Sequence, residues 1–236
     1  MAIRARHLYG NLVYYDGHFN RIIDAWGPGV KKFILGPHVP TSAADTIAGF
    51  TTTLVEGGGG ESTVAQSVAV NGGGLLITTD AFENDGVNLQ MVGEAFQPAA
   101  STFIYFGCKL QISDATQSDI LVGLCITDTD LLGGLTDGIY FRKADGSTTM
   151  SAVLEQDSTE TTGTALTVAD ATDMYLEIVC NGVTVDFYVD GTMLTQLAQT
   201  NVPDDELLTP SIHFLTGEAA AKTCLVKDLR VFRIAA

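Results

Sequence analysis

Met174-Tyr175-Leu176-Glu177-Ile178-Val179-Cys180-Asn181-Gly182-Val183-Thr184-Val185-Asp186-Phe187-Tyr188-Val189 decides the fold. Two alternating runs flank an Asn-Gly pair, the dipeptide that most favours a two-residue type I′ turn because both residues tolerate positive φ. With Asn181-Gly182 as that turn, Cys180 lies opposite Val183, Ile178 opposite Val185, Leu176 opposite Phe187 and Met174 opposite Val189. All eight side chains are apolar and share one face, and a one-residue slip would destroy the match. The second face pairs Tyr175 with Tyr188, Glu177 with Asp186 and Val179 with Thr184. Like charges directly opposite destabilise a sheet. Glu177 and Asp186 therefore require an offset: Arg142 from a neighbouring strand, solvent, or a bound cation.

The same pattern continues outward in both directions. From Phe50 onward the chain is strand after strand: Phe50–Val55, Ser62–Val70, Gly74–Thr79, Val87–Val92, Thr102–Ile112, Asp119–Thr127, Gly138–Arg142, Thr148–Leu154, then the hairpin, Thr192–Leu197, Leu207–Leu215 and Lys222–Ile234. Turn signals such as Asp85-Gly86, Asp145-Gly146 and Asp190-Gly191 separate them. In Thr102–Ile112 one face is Ile104, Phe106, Cys108, Leu110 and Ile112. One apolar and one wetter face per strand marks antiparallel sheets packed as a sandwich. No stretch keeps a helical period. The expected fold is an all-β, antiparallel two-sheet β-sandwich over residues 46–236, preceded by an N-terminal extended arm, residues 1–45.

Charge separates these two parts. The chain of 236 residues has net charge −16. Residues 1–40 hold Arg4, Arg6, Arg21, Lys31 and Lys32 against Asp16 and Asp24, net +3, leaving −19 on the remainder. So acidic a body argues against nucleic acid as a partner. An arm of opposite sign can fold back on its own body or dock on an acidic neighbour. Its aromatics, Tyr9, Tyr14, Tyr15, Phe19 and Trp26, have no core of their own and must be buried elsewhere. These five with the five cations form the expected partner-binding set. An arm of this kind is separable: a sandwich lacking residues 1–40 is expected to stay folded.

Gly138-Ile139-Tyr140-Phe141-Arg142, Leu176-Glu177-Ile178-Val179, Val185-Asp186-Phe187-Tyr188-Val189-Asp190-Gly191 and the closing Val226-Lys227-Asp228-Leu229-Arg230-Val231 resemble the concanavalin A-like lectin/glucanase superfamily, a LamG-like jelly roll. That resemblance implies the sandwich fold but no single function, since the superfamily holds lectins, glycosidases, adhesion modules and virion proteins. The stretches Tyr9–Asp16, Ile23–Val30 and Thr136–Arg142 also look like tailed-phage structural proteins encoded among head genes. This second resemblance implies a virion location after synthesis in a bacterial cytoplasm. It also implies a capsid decoration or cement role without enzymatic activity. The partners it implies are a major capsid protein and copies of the chain itself, a trimer being one such homo-oligomer.

Several motifs are weighed against that role. Glu155-Gln156-Asp157-Ser158-Thr159-Glu160 matches the E-x-D-x-x-E pattern of laminarinase-type glucanases, whose carboxylates serve as nucleophile and acid/base. Here it runs into Thr161-Thr162-Gly163-Thr164 with no Trp nearby, and it is read as an acidic polar loop after a strand. A carbohydrate-binding module or phage adhesin for host surface glycans is the alternative, with Tyr140, Arg142, Tyr175, Glu177, Asp186 and Tyr188 as the glycan face. Asp128-Thr129-Asp130 and Asp137 supply too few oxygens for a hard-cation site on their own. His7, His18, His38 and His213 lack zinc spacing. No metal or other cofactor is expected, and no stretch is long and apolar enough for a membrane helix. Cys108, Cys125, Cys180 and Cys224 lie inside apolar runs and are expected as reduced core thiols.

Overall fold

A computed structural model describes residues 3–16, 21–35, 41–43, 46–47, 49–58, 60–67 and 73–235, with backbone alone at 41–43 and 46. All regular structure among these residues is β. The strands are β1 Ile3–Leu8, β2 Asn11–Asp16, β3 Ile22–Trp26, β4 Val30–Leu35, β5 Thr41–Ala43, β6 Thr46–Ile47, β7 Phe50–Val55, β8 Thr63–Ser67, β9 Gly74–Thr78 and β10 Gly86–Met91. They continue with β11 Thr102–Ile112, β12 Ser118–Cys125, β13 Gly138–Lys143, β14 Thr149–Gln156, β15 Thr159–Thr167, β16 Met174–Cys180, β17 Thr184–Val189, β18 Thr192–Ala198, β19 Thr209–Thr216 and β20 Thr223–Ala235.

Two antiparallel sheets make the sandwich. One has the order β15-β14-β13-β12-β19-β10-β7. The second has the order β18-β17-β16-β11-β20-β9-β8, with β4 also paired to β20. Alternation aims Ile120, Val122, Leu124, Phe141, Leu154, Ile212 and Phe214 from the first sheet inward, against Ile104, Phe106, Cys108, Leu176, Ile178, Val185, Phe187 and Val231 from the second. Phe141 and Phe187 meet edge to face across the layer, centroids 5.2 Å apart. The four cysteines are free and buried, and burial pushes their thiols up, Cys224 to about 12.

The central hairpin forms with the expected apolar face but a different register. Cys180 pairs with Val185, Ile178 with Phe187, Leu176 with Val189, and Glu177 with Tyr188. The shift is two residues, so the side chains that remain in the strands keep their faces, whereas Val183, expected opposite Cys180 on the apolar face, becomes a loop residue 75% exposed. Its cause is the Asn181 side chain. Asn181 Oδ1 accepts the N–H groups of Val183 and Thr184, both at 2.9 Å, and the Asn181 N–H donates to the Thr184 carbonyl. Gly182-Val183 is thereby the two-residue loop, with positive φ at Gly182 but not at Val183. That is the type II′ pattern; a type I′ turn needs positive φ at both. The shift removes Asp186 from opposite Glu177 and sets it opposite Val179.

Two parts of the chain read as irregular are strands. The Glu155–Glu160 motif is a tight hairpin: Asp157 and Ser158 have φ +50° and +61°, Gln156 pairs with Thr159, and Glu155 with Glu160. Its second strand, β15, is a mostly exposed sheet edge without apolar alternation.

The N-terminal segment folds back. β1, β2 and β3 form a three-stranded sheet, while β4 joins the sandwich through β20. Val13, Ile22 and Ala25 pack on Tyr105, Phe232 and Ile234, which lie on the outer face of the second sheet. Each large apolar side chain buried this way contributes about 1.5–3 kcal/mol. Deleting residues 1–40 is therefore expected to lower the unfolding midpoint by several kcal/mol equivalent and to raise binding of a hydrophobic dye. A truncated chain as stable as the full one would contradict this packing.

Candidate functional site

The proposed glycan face divides between the two sheets. Tyr140 and Arg142 stand on β13, whereas Tyr175, Glu177, Asp186 and Tyr188 stand on β16 and β17 of the opposite sheet. Tyr140 alternates with inward-facing Ile139 and Phe141, and Glu177 with inward-facing Leu176 and Ile178. The two groups therefore face outward in opposite directions and form no common surface.

On the β13 side, the outer face is filled by the chain's own loop 126–137. Leu131 and Leu135 of that loop bury against Leu121, Cys125, Tyr140 and Val153. A row of buried polar side chains fastens it to the sheet. Asn88 Nδ2 donates to the Asp128 carbonyl (2.7 Å), and Gln90 Nε2 donates to the Ile126 carbonyl (2.9 Å) and to Ser211 Oγ (2.9 Å). Gln90 Oε1 accepts the Asp128 N–H. The loop's carboxylates are committed to backbone N–H groups: Asp128 to Asp130, Asp130 to Gly133, and Asp137 to Asp157. Among the described residues no three His, Cys, Asp or Glu side chains gather as a metal-holding group.

At the rim of this loop, the Glu155–Glu160 hairpin closes a small cavity of about 120 Å³, whose other walls include Leu131, Leu135, Tyr140 and Arg142. Tyr140 Oη donates to Glu155 Oε2 at 2.6 Å, and Arg142 grips Glu160 with two bonds of 2.6 and 2.8 Å. Burial, followed by the charge of Glu160, raises the Glu155 carboxyl above its usual range against the Tyr140 bond. A carboxyl raised by burial beside a second carboxylate is the kind of pair that acid/base chemistry on a glycosidic bond uses. The volume falls well short of the roughly 300 Å³ at which ligand pockets begin.

On the opposite side, Tyr175 and Glu177 lie beneath the N-terminal sheet. Arg21 donates to both oxygens of Glu177, at 3.1 and 3.3 Å, and its guanidinium stacks 3.6 Å from the centre of the Tyr175 ring. Tyr105 Oη donates to Glu177 Oε1 at 2.7 Å. Arg230, paired with Asp228, also donates to the Ile23 carbonyl. The charge that offsets Glu177 thus comes from the arm, not from Arg142. Asp186 instead accepts from Thr184 Oγ1 and Gln196 Nε2.

The expected arm residues therefore have different fates. Arg21 is committed inward. Lys32 bonds Asp24 at 2.7 Å and caps the Trp26 ring, and Arg6 stacks on Tyr15. Tyr14 and Tyr15 are half-buried. Arg4, Arg6, Tyr9, Trp26 and Lys31 are exposed. Phe19 lies outside the described residues, as do His18 and His38.

No family model matches the chain, and no curated protein matches it in sequence. Solved structures do. An endo-1,3-β-glucanase from Streptomyces sioyaensis superposes with TM-score 0.60 at 11% identity, over 90% of this chain and 99% of that one. The carbohydrate recognition domain of Emp47p gives TM-score 0.57 at 10% identity, over 84% and 95%. A protein of unknown function, SO2946 from Shewanella oneidensis MR-1, gives 0.59 at 12%, over 88% and 87%. The fold is that of the concanavalin A-like lectin and glucanase sandwiches. These neighbours include both glycosidases and lectin domains, and the fold alone does not separate the two.

Asn88, Gln90 and Ser211 went unnoticed in the alternation, and His213 was weighed only for zinc, because they read as a wet outer face. The signal for them was in the loop: Leu131, Leu132 and Leu135 in a glycine-containing connection must be buried against something. His213, 1% exposed, has no hydrogen-bond partner on either ring nitrogen among the described residues. Burial lowers it to about 4, against a weak opposing pull from Asp130. The unfolded chain takes up this proton first, so stability is lost as pH falls from about 6.5 and the loss is complete below about 4. The ceiling is roughly 3 kcal/mol. His213→Leu should flatten that part of the stability–pH curve, measured by denaturant titration; an unchanged slope would remove His213 as its source.

Proposed function

We propose that the chain is a non-catalytic structural subunit, a decoration or cement protein of a virion. In this reading it sits on the major capsid lattice through its N-terminal sheet. One observation carries the reading. The outer face of the first sheet is closed by loop 126–137, while the folded arm, clamped by Arg21–Glu177, leaves Arg4 and Arg6 exposed on its edge strand β1, Tyr9 and Trp26 exposed at the β1–β2 turn and on β3, and Lys31 exposed on the neighbouring β4. A preformed basic and aromatic surface loses little entropy on docking, and aromatic and arginine side chains dominate interface energies. Opposite charge on a lattice would speed the encounter and fix its register. The acidic remainder keeps the free subunit soluble.

A particle co-sedimentation assay tests this. The triple variant Arg4→Glu, Arg6→Glu, Trp26→Ala should bind capsid particles at least tenfold more weakly than wild type, with the loss growing at low salt. Equal sedimentation of the two proteins would exclude the arm surface as the docking site.

A second reading has its own observation. The cavity between Glu155, Glu160, Tyr140 and Arg142 is lined by groups that could hold a sugar hydroxyl, which supports a reading in which surface glycans are recognised weakly at the rim of loop 126–137. A glycan array followed by Arg142→Ala tests it: binding lost in the variant favours a carbohydrate-binding module. Hydrolysis of β-1,3-glucan by wild type, abolished in both Glu155→Gln and Glu160→Gln, would replace both readings with a glycosidase.

A further inference from the structure

We infer that copies of this chain join head to tail, Phe82 of one copy entering a cavity beside Tyr9 and Pro28 of the next. The inference goes beyond the role proposed above and does not rest on it. Phe82 is the apolar residue at the tip of the β9–β10 connection, and half of its surface is exposed. The tip is held in place: the Asp85 N–H donates to the Phe82 carbonyl at 3.1 Å, and the Asn84 N–H donates to the Thr216 carbonyl at 2.7 Å. The ring lies against Gly58, where no Cβ would fit, and Asp80 lies against Gly60 in the same way. This brings the segment carrying Glu56 and Glu61 beside the one carrying Asp80 and Glu83. None of these four carboxylates is in an ion pair among the described residues. The feature, a knob, is a half-exposed aromatic on two adjacent segments that together carry four carboxylates.

The complementary cavity, about 370 Å³, opens between the Tyr9-Gly10-Asn11 turn, the Pro28-Gly29 turn and Ala235. Its volume lies within the range of pockets that take a bound group. Its walls are preformed. Asn11, fully buried, donates to the carbonyls of Tyr9 (3.0 Å) and Ala235 (3.4 Å) and accepts the Gly29 N–H (3.1 Å). Gly27 and Gly29 can carry no Cβ there, since Asn11 and the Ala235 carbonyl occupy the space. Close by, Lys31 stands directly opposite Arg233 on the β4–β20 pair, and neither has a carboxylate partner among the described residues. Like charges across a strand pair are unfavourable, and an incoming carboxylate would offset them.

Knob and cavity cannot meet within one chain. Thr79, three residues before Phe82, is bonded to Lys222 at the start of β20, whereas the cavity is bounded by Ala235 at its end. Strand rise puts roughly 40 Å between them. A surface feature and its complement at opposite ends of one molecule make a heterologous contact, which builds a ring when the rotation closes and a filament when it does not.

Light scattering with the full chain tests this. Wild type at tens of micromolar should show a weight-average mass at least about twofold that of the monomer, falling toward the monomer as salt screens the charges. Phe82→Ser removes the knob, and Tyr9→Glu puts a repelling charge at the cavity. Both sites are exposed, and each variant should remain folded by near-ultraviolet circular dichroism and run as a monomer. Mixed in equal amounts, they retain one intact knob and one intact cavity, so the mixture should give a one-to-one dimer and nothing larger. A monomeric wild type at low salt, self-association by Phe82→Ser, or a mixture that stays monomeric would each overturn the inference. The particle-binding assay above changes Arg4, Arg6 and Trp26, none of which lines the cavity, so the two tests are read separately although Tyr9 and Lys31 belong to both surfaces.

Discussion

Everything in this molecule is arranged around one strand. β20 runs from Thr223 to Ala235 and pairs with β11 along nearly its whole length. Its other edge is shared: β9 takes Thr223–Val226 and β4 takes Leu229–Ile234. A strand that long must satisfy a backbone donor and acceptor at every residue. β9 is too short to do so, so without β4 the second half of β20 would be an open, largely apolar edge, the kind that invites pairing with another chain. The N-terminal segment resolves that constraint. By pairing β4 with β20 it closes the edge, and with β1–β3 it covers Phe232 and Ile234 on the outer face.

The charge split between the first forty residues and the rest follows from the same arrangement. Glu177 is buried on the outer face, 3% of its side chain exposed. A buried carboxylate is tolerable only when paired and hydrogen-bonded. Arg21 and Tyr105 satisfy it, and Arg21 belongs to the segment that had to fold back for the sake of β20. One cation of the arm is thereby used internally. Among the described residues Arg4, Arg6 and Lys31 are in no ion pair, and they keep the arm's positive sign on the molecular surface.

Alternation made most of the sandwich legible. β7, β11 and β16 begin and end where the apolar rhythm does, because each has one face in the core and a turn residue close by. β15 was hidden because an exposed edge strand needs no apolar face; Thr159–Thr167 reads as loop, and only the positive φ of Asp157 and Ser158 makes the hairpin. The hairpin register was legible in its parity but not in its value. Burial fixes which face each residue takes, whereas a local choice fixes the turn, and Asn181 spends its side chain on two backbone N–H groups instead of entering the loop itself. Of the candidate sites, the residue types were legible and their grouping was not. Tyr140 and Tyr175 each follow the alternation of their own strand, but which sheet a strand joins is settled by long-range pairing that periodicity does not encode.

That last point bears on how a lectin-like fold comes to have a closed outer face. The first sheet keeps a polar row, Asn88, Gln90, Ser211 and His213, on the face that could have met a ligand. In this chain Asn88 and Gln90 meet backbone carbonyls and an N–H of loop 126–137, Ser211 meets Gln90, and three leucines of that loop complete the seal. The arrangement is not fully satisfied, since the His213 ring and Asn88 Oδ1 have no partner among the described residues. An unpartnered polar atom in a dry core costs about 1–3 kcal/mol, which a simple plug of apolar side chains would avoid. The loop is therefore held both by the hydrogen bonds of Asn88 and Gln90 and by leucine packing, so its closure depends on polar geometry as well as on apolar burial.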